Sequence, residues 1–290
     1  CSSAKNEDGL AVRTFLIDLA YMAAAIFFIY ALKLMNAVRT AKLGNYLGAL
    51  GMFLAIGATL LDREIVSYQA ILIAIVIGSF IGIVASYAVP MTAMPQMVGL
   101  YNGFGGIASA FVSCTEYLRA GGSLSTFTLS TVMLGTFVGN VTFTGSVLAF
   151  AKLQGLVEER PVTYPLQKTA NLLIALASLA LGAWIVTDPS QYAAYWILFA
   201  ASSLLGVLLV LPIGGADMPV IICLLNSYSG IAAALTGFVL MNKVLIVAGA
   251  LVGSSGIILT EIMCRAMNRS FANVAFGTFG KIEKGAETKE

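Results

Sequence analysis

Asn102 and Asn226 are the side chains whose setting points most directly to chemistry. Each stands eight residues past a Met-Pro pair, Met94-Pro95 or Met218-Pro219. Each precedes a matching run, Gly106, Ile107, Ala108 and Ala110 in the first copy and Gly230, Ile231, Ala232 and Ala234 in the second. Both lie in apolar segments, where an unpaired amide is costly to bury. An amide donates and accepts hydrogen bonds but does not titrate near neutral pH, so it can hold water or orient a proton donor without itself carrying the proton. A third amide, Asn140, sits with Thr136 and Thr144 at positions i, i+4 and i+8, on one helical face. Three amides at similar depth on three helices could assemble a hydrogen-bonded water site, or could serve only as interhelical glue worth about 1 kcal/mol each. Charged groups inside the apolar segments are few. Asp18 is within reach of an interface, and Glu261 and Arg265 are spaced for an i, i+4 ion pair. Asp217, directly before Met218-Pro219, can cap a helix start, gate a proton or signal to a partner domain.

The elements that position these residues follow from composition. With 59% hydrophobic and only 10% charged residues and a mean hydropathy of +0.92, the chain departs from the soluble mix of roughly 25% charged residues. It reads as an all-α, polytopic membrane helix bundle. Nine stretches approach the roughly 20 residues that a bilayer core requires: 14–32, 45–61, 68–89, 95–113, 127–151, 169–186, 192–212, 218–240 and 243–263. With nine spans, the N-terminal side carries Lys5, Arg13, Arg63, Arg119 and Lys243. The opposite side carries Lys33, Arg39, Lys42, Lys152, Arg160, Lys168, Arg265, Arg269, Lys281, Lys284 and Lys289. The positive-inside rule then puts the N-terminus outside and the C-terminus inside. Residues 1–13 are expected as an outer segment, 14–268 as the transmembrane domain and 269–290 as a charged inner linker that could lead to a further domain. Cys1 suggests a processed or truncated start, or a lipid-modified cysteine.

Spans four and eight run in the same direction, so the two asparagine segments form a parallel repeat, by duplication about an axis along the membrane normal or by convergence. At 1.5 Å per residue, both asparagines lie roughly 11–12 Å from the inner ends, near mid-depth. Gly99-xxx-Gly103 and Gly249-xxx-Gly253 allow close helix approach, and a partner helix is expected against those glycines. The chain has no histidine and no CxxC pair, which excludes a Ser-His triad and a zinc cluster built from this chain alone. Gly103-Phe-Gly105-Gly-Ile-Ala108 fits the dinucleotide fingerprint as a string but lies within a span, without the preceding strand that the motif needs. No basic patch of the kind that binds nucleic acid is present.

Several longer strings resemble the beta-subunit membrane domain of proton-translocating NAD(P) transhydrogenase: Val141-Thr-Phe-Thr-Gly-Ser146, Lys152-Leu-Gln-Gly-Leu156, Gly215-Ala-Asp217-Met-Pro219, Leu225-Asn-Ser-Tyr-Ser-Gly230, Gly253-Ser-Ser-Gly256 and Met263-Cys-Arg-Ala-Met-Asn-Arg-Ser270. The resemblance runs from about Tyr21 to the end of span nine. It implies a membrane domain that couples proton movement to hydride transfer between NADH and NADP, with both nucleotides bound in partner domains and no cofactor in this chain. It implies an alpha-type partner with further membrane helices, an NADP-binding domain after residue 290, a dimer of the assembled enzyme, and a bacterial or mitochondrial inner membrane. By the same resemblance Asn226 is a channel asparagine, Asp217 an aspartate at the inner mouth, Gly253 to Gly256 a helix crossing, and Arg265 and Arg269 a basic pair near the domain linker; with these, Asn102, Asn140, Ser254, Ser255 and Gly256 join Asn226 in the expected proton pathway, and Glu261 joins Asp217, Arg265 and Arg269 in the expected coupling region. Where many family members carry a buried histidine, this chain has Asn102, so the titrating group is expected on the partner. The alternative is a secondary transporter or channel with a parallel internal repeat.

Overall fold

The computed structural model describes residues 2–61, 68–120 and 123–268, with side chains from residue 12 onward. Nine α-helices appear among the described residues: α1 Ser2–Met35, α2 Val38–Leu60, α3 Tyr68–Ala88, α4 Met94–Ala120, α5 Thr126–Leu153, α6 Gln167–Thr187, α7 Tyr192–Val210, α8 Met218–Val239 and α9 Lys243–Ala266. All nine are long and apolar enough to cross a bilayer, and the described residues contain no strand. A spanning backbone must satisfy its polar groups internally, and a helix does so alone. The chain is an integral membrane protein.

Helix limits differ from the apolar stretches at three places. α1 continues through residues 2–13, α2 begins at Val38 rather than at 45, and α4 runs on to Ala120. Hydropathy marks what can be buried in hydrocarbon, whereas a helix goes on into polar sequence for as long as nothing stops it. Ahead of α2, Thr40 Oγ1 donates to the Leu34 carbonyl at 2.6 Å, tying the short turn between the first two helices.

The described residues form two compact units, one of those up to 91 with 242–248 and one of those from 92 to 241 with those from 249 onward. In the first, α1 and α2 pack through small residues at seven-residue spacing. Gly44, Gly51 and Ala58 are buried on α2, as are Ala24 and Ala31 on α1. A Cβ at Gly44 would stand 2.8 Å from the Ala31 carbonyl oxygen. Asp18 of α1 and Lys243, the first residue of α9, form an ion pair at 3.2 Å. α3 buries none of its residues.

In the second unit α5 is the central helix and buries residues along its whole length. Its neighbours are α4, α6, α7 and α8. Two apolar clusters fill the unit. One gathers Ala149, Val210, Ile213, Met218 and Leu225 with Cys264, and the other gathers Tyr117, Leu129, Val132, Ile185, Tyr195 and Leu198. Hydrogen bonds define the two ends. At the first, Gln96 Nε2 donates to the Leu153 carbonyl at 3.2 Å, and the connection after α5 is pinned by Val162 N to the Leu211 carbonyl and Gly215 N to the Glu159 carbonyl. At the second, Tyr117 OH donates to the Pro189 carbonyl at 2.9 Å and its ring stacks on Tyr195 at 4.5 Å.

Candidate functional site

The repeat read from sequence is also a structural one. A single 3-10 turn precedes each copy, Met91–Ala93 before α4 and Gly215–Asp217 before α8, and each helix then starts at its Met-Pro pair. Proline fits there because the first helical N–H groups have no intrahelical acceptor. The two asparagine segments are therefore held in equivalent positions along α4 and α8.

Between the two apolar clusters these helices meet α5 in a polar layer. Asn102 Nδ2 donates to Ser146 Oγ of α5 at 2.9 Å. Ser229 Oγ of α8 lies 2.6 Å from Asn102 Oδ1 and 2.9 Å from the Asn226 carbonyl oxygen. Its one proton is thus shared by, or alternates between, two acceptors. Asn102 ties together three helices with both ends of its amide, while Ser146 is fully buried and Asn102 and Ser229 are half-buried. The Asn226 side chain is half-buried and finds no hydrogen-bond partner among the described residues; only its carbonyl joins the layer. An amide left with free donors and acceptors in an apolar bundle is suited to water, each of whose own partners must be polar.

Close backbone approach makes this layer possible. α4 and α5 cross where a Cβ at Gly106 would meet the Gly139 carbonyl at 2.8 Å and Thr142 Cβ at 2.9 Å, and a Cβ at Gly139 would meet the Gly106 carbonyl at 2.7 Å. Asn102 and Ser146 stand roughly one turn from that crossing on their respective helices. α8 and α9 cross in the same way through Gly230, Gly249, Gly253 and Gly256, where added Cβ atoms at Gly230 and Gly249 would run into the facing backbone. Ser227 Oγ donates to the Gly253 carbonyl at 2.6 Å across this crossing. The glycine stripes expected to receive a partner helix are therefore occupied from within the chain, Gly99 and Gly103 by α5 and α8 side chains and Gly249 and Gly253 by α8. Spacing reports that a face is smooth, not which helix lies on it.

The remaining sequence candidates fall in three places. Asn140 is fully buried but faces α7, not Asn102. Its Nδ2 points to Ser202 Oγ at 3.3 Å and to the Phe199 carbonyl at 3.5 Å, and its Oδ1 has no partner. Thr136 and Thr144 face the same helix, bonding Tyr195 OH at 3.0 Å and the Ser203 carbonyl at 2.8 Å. The three amides thus do not form one hydrogen-bonded cluster. Ser254 and Ser255 are exposed on α9 and bond to carbonyls of their own helix, whereas Gly256 packs against Ser227. At the end where α8 starts, Asp217 occupies the N-cap position with helical backbone angles and makes no capping bond with its side chain. Glu261 and Arg265 form the expected ion pair, at 2.5 Å. Arg269 and the segment 269–290 lie outside the described residues.

Three residues of consequence were not singled out as site residues from sequence. Ser229 had a signal, one helical turn after Asn226; Ser146 is tied to Asn102 only through the crossing of α4 and α5. Lys152 has its side chain fully buried at the end of α5, and its Nζ donates to the carbonyls of Leu211 at 2.5 Å and Ile213 at 2.8 Å. A cation at carbonyls that close a helix is favourably placed against the helix dipole, and it locks α5 to the segment leading to Asp217.

Comparison with known proteins agrees with the residue-level reading. A family model described as NAD(P) transhydrogenase beta subunit matches residues 17–290. Two curated relatives from Rhodospirillum rubrum, both called NAD(P) transhydrogenase subunit beta, are each 44% identical to this chain over 268 residues, which is 90% of this chain and 58% of theirs. The chain thus spans a little over half the length of these relatives.

Proposed function

The chain belongs to the NAD(P) transhydrogenase beta subunit family, and from that premise we propose that it forms the membrane part of such an enzyme, translocating protons and coupling that movement to hydride transfer between NADH and NADP. The observation that carries the reading is the layer formed by Asn102, Ser146 and Ser229, with the unpartnered amide of Asn226 beside it. A hydrogen-bonded line across three helices in an otherwise apolar bundle is what a water-borne proton needs, and helix packing alone does not require it. The buried, unpartnered Oδ1 of Asn140 supports a second place for water next to α7.

None of these amides and hydroxyls titrates near neutral pH, and the chain has no histidine. The group that takes up and releases the proton therefore comes from an alpha-type partner bringing further membrane helices. Ser254 and Ser255, exposed on α9, are available to that partner, with Gly256 keeping α9 close to α8. Asp217, Glu261, Arg265 and Arg269 form the coupling region on the side of the nucleotide-binding domains. NAD and NADP bind in those domains, including one that continues from residue 290, and not in this chain. The orientation follows the basic residues, N-terminus outside and C-terminus inside, in a bacterial or mitochondrial inner membrane, and the assembled enzyme is a dimer.

The substitution Asn226→Leu in the assembled enzyme tests the reading. Proton-coupled transhydrogenation is expected to collapse while the complex still assembles and binds both nucleotides. An Asn226→Leu enzyme that still pumps protons would overturn it.

A further inference from the structure

A cavity of about 580 Å³ opens in the second unit among α5, α6, α7 and α8, within the roughly 300–1,000 Å³ of ordinary ligand pockets. Its walls are Phe137 and Val141 of α5, Leu172 of α6, Leu205 and Leu209 of α7 and Ile231 of α8. Leu172 and Ile231 are exposed, so the cavity opens sideways from the helix bundle. For a spanning helix bundle that direction is hydrocarbon, and its occupant there is apolar along most of its length.

The end of the cavity nearest the start of α6 has the opposite character. Lys168, in the first turn of α6, lines it and has no ion-pair partner among the described residues. Asn171, one turn further along, also lines it and is only 5% exposed. The Tyr164 hydroxyl donates to Asn171 Oδ1 at 2.7 Å, which leaves Nδ2 as a buried donor with no acceptor. The helix itself starts after Leu166, a left-handed residue that supplies no capping side chain. A free ammonium and an unused, buried amide donor call for the same thing, an anionic oxygen acceptor.

We propose that this cavity binds one anionic phospholipid, an acyl chain lying between α5, α6 and α8 and the phosphate held at the start of α6 by Lys168 and Asn171. A lipid joins the two requirements in one molecule: hydrocarbon for the walls and phosphate oxygens for the donors. Lys168, a cation with no ion-pair partner among the described residues, favours an anionic headgroup over a zwitterionic one. The inference rests on the membrane fold and stands apart from the proton-translocation reading.

The test uses the whole assembled enzyme, stripped of lipid in detergent and then given phosphatidylglycerol or phosphatidylcholine, with the lipid retained per complex counted by native mass spectrometry. Phosphatidylglycerol is expected to stay at one molecule per copy of this chain, with phosphatidylcholine lost. Lys168→Gln should weaken retention by roughly fivefold, the effect of removing one cation near an anionic lipid, and Lys168→Arg should restore it. Ala175→Trp, which fills the cavity, should abolish retention in complexes that still elute at the assembled size. Equal retention of both lipids would overturn the proposal, as would retention unchanged in Lys168→Gln and Ala175→Trp. So would displacement of the lipid by millimolar inorganic phosphate, which would mark a phosphate site, or an intact complex that retains no lipid because a partner's helix fills the space.

Discussion

Asn102→Leu separates a structural amide from a functional one, because the two roles differ in size. The substitution keeps the branching and number of heavy atoms of the side chain and removes two interhelical hydrogen bonds, at 2.9 Å to Ser146 and 2.6 Å from Ser229. Interhelical bonds of this kind average about 0.6 kcal/mol and reach about 1.7 kcal/mol in membrane proteins. The lost stability is therefore about 1–3 kcal/mol. Part of it is recovered because Ser229 keeps the Asn226 carbonyl at 2.9 Å. Such a loss leaves most of the complex folded. A broken proton line costs far more: each missing 1.4 kcal/mol of barrier lowering is about tenfold in rate, and a gap in the line removes the route altogether. Proton-coupled transhydrogenation in proton-tight vesicles should fall by at least about an order of magnitude, with the thermal unfolding midpoint of the purified complex only slightly lowered. A double-mutant cycle with Ser229→Ala in the same vesicles should show the two losses overlapping, since both cut one network. The reasoning fails if Asn102→Leu pumps protons at near the parent rate. It fails equally if activity falls only in step with the amount of assembled complex.

Three further outcomes are expected. Gly230→Ala puts a methyl group against the backbone of Gly253 and Gly249, with the Gly249 carbonyl 2.9 Å away. It should force α8 and α9 apart and lower stability by about 1–3 kcal/mol, read as a lower unfolding midpoint, whereas Gly105→Ala, with nothing within 4 Å, should not. Lys152→Met should leave the Ile213 carbonyl without its donor, while the Leu211 carbonyl keeps the Val162 N–H, and should cost about 1–3 kcal/mol. Faster proteolysis of the 154–166 connection would report it, and an unchanged cleavage rate would speak against the clamp. Between α6 and α7, hydrogen bonds from Gln191 and Ser190 hold the Asp188 carboxyl below its ordinary value. A depressed carboxylate stabilises above its unfolded pKa, about 4, and that contribution is lost as pH falls through the lower folded value. The turn should therefore be unaffected at neutral pH and loosen only in acid, by hydrogen exchange, and Asp188→Asn should remove that acid step.

That this chain lives in a bilayer, that about nine helices cross it, and that Asn102 and Asn226 occupy equivalent places could all be read from the order of its residues. These are local properties. Hydropathy over some 20 residues, the fit of proline to a helix start, and helical periodicity are all written into consecutive positions. The Glu261–Arg265 pair was legible for the same reason, since an i, i+4 spacing needs no other helix. What each polar face meets emerged only with the packed bundle. Asn140, Thr136 and Thr144 form one stripe in sequence, yet the rotation of α5 turns that stripe to α7 and gives Ser146, on another face, to Asn102. The glycine stripes on α4 and α9 read as smooth surfaces open to a partner, and they are filled by α5 and α8 of the same chain. Lys152 reads as one more basic residue at a span end, and only the return of the chain at Leu211 and Ile213 makes it a buried clamp. In lipid no hydrophobic force distinguishes one helix face from another. Which faces meet is settled by close packing and by hydrogen bonds between residues far apart in the chain, and consecutive residues carry no record of either.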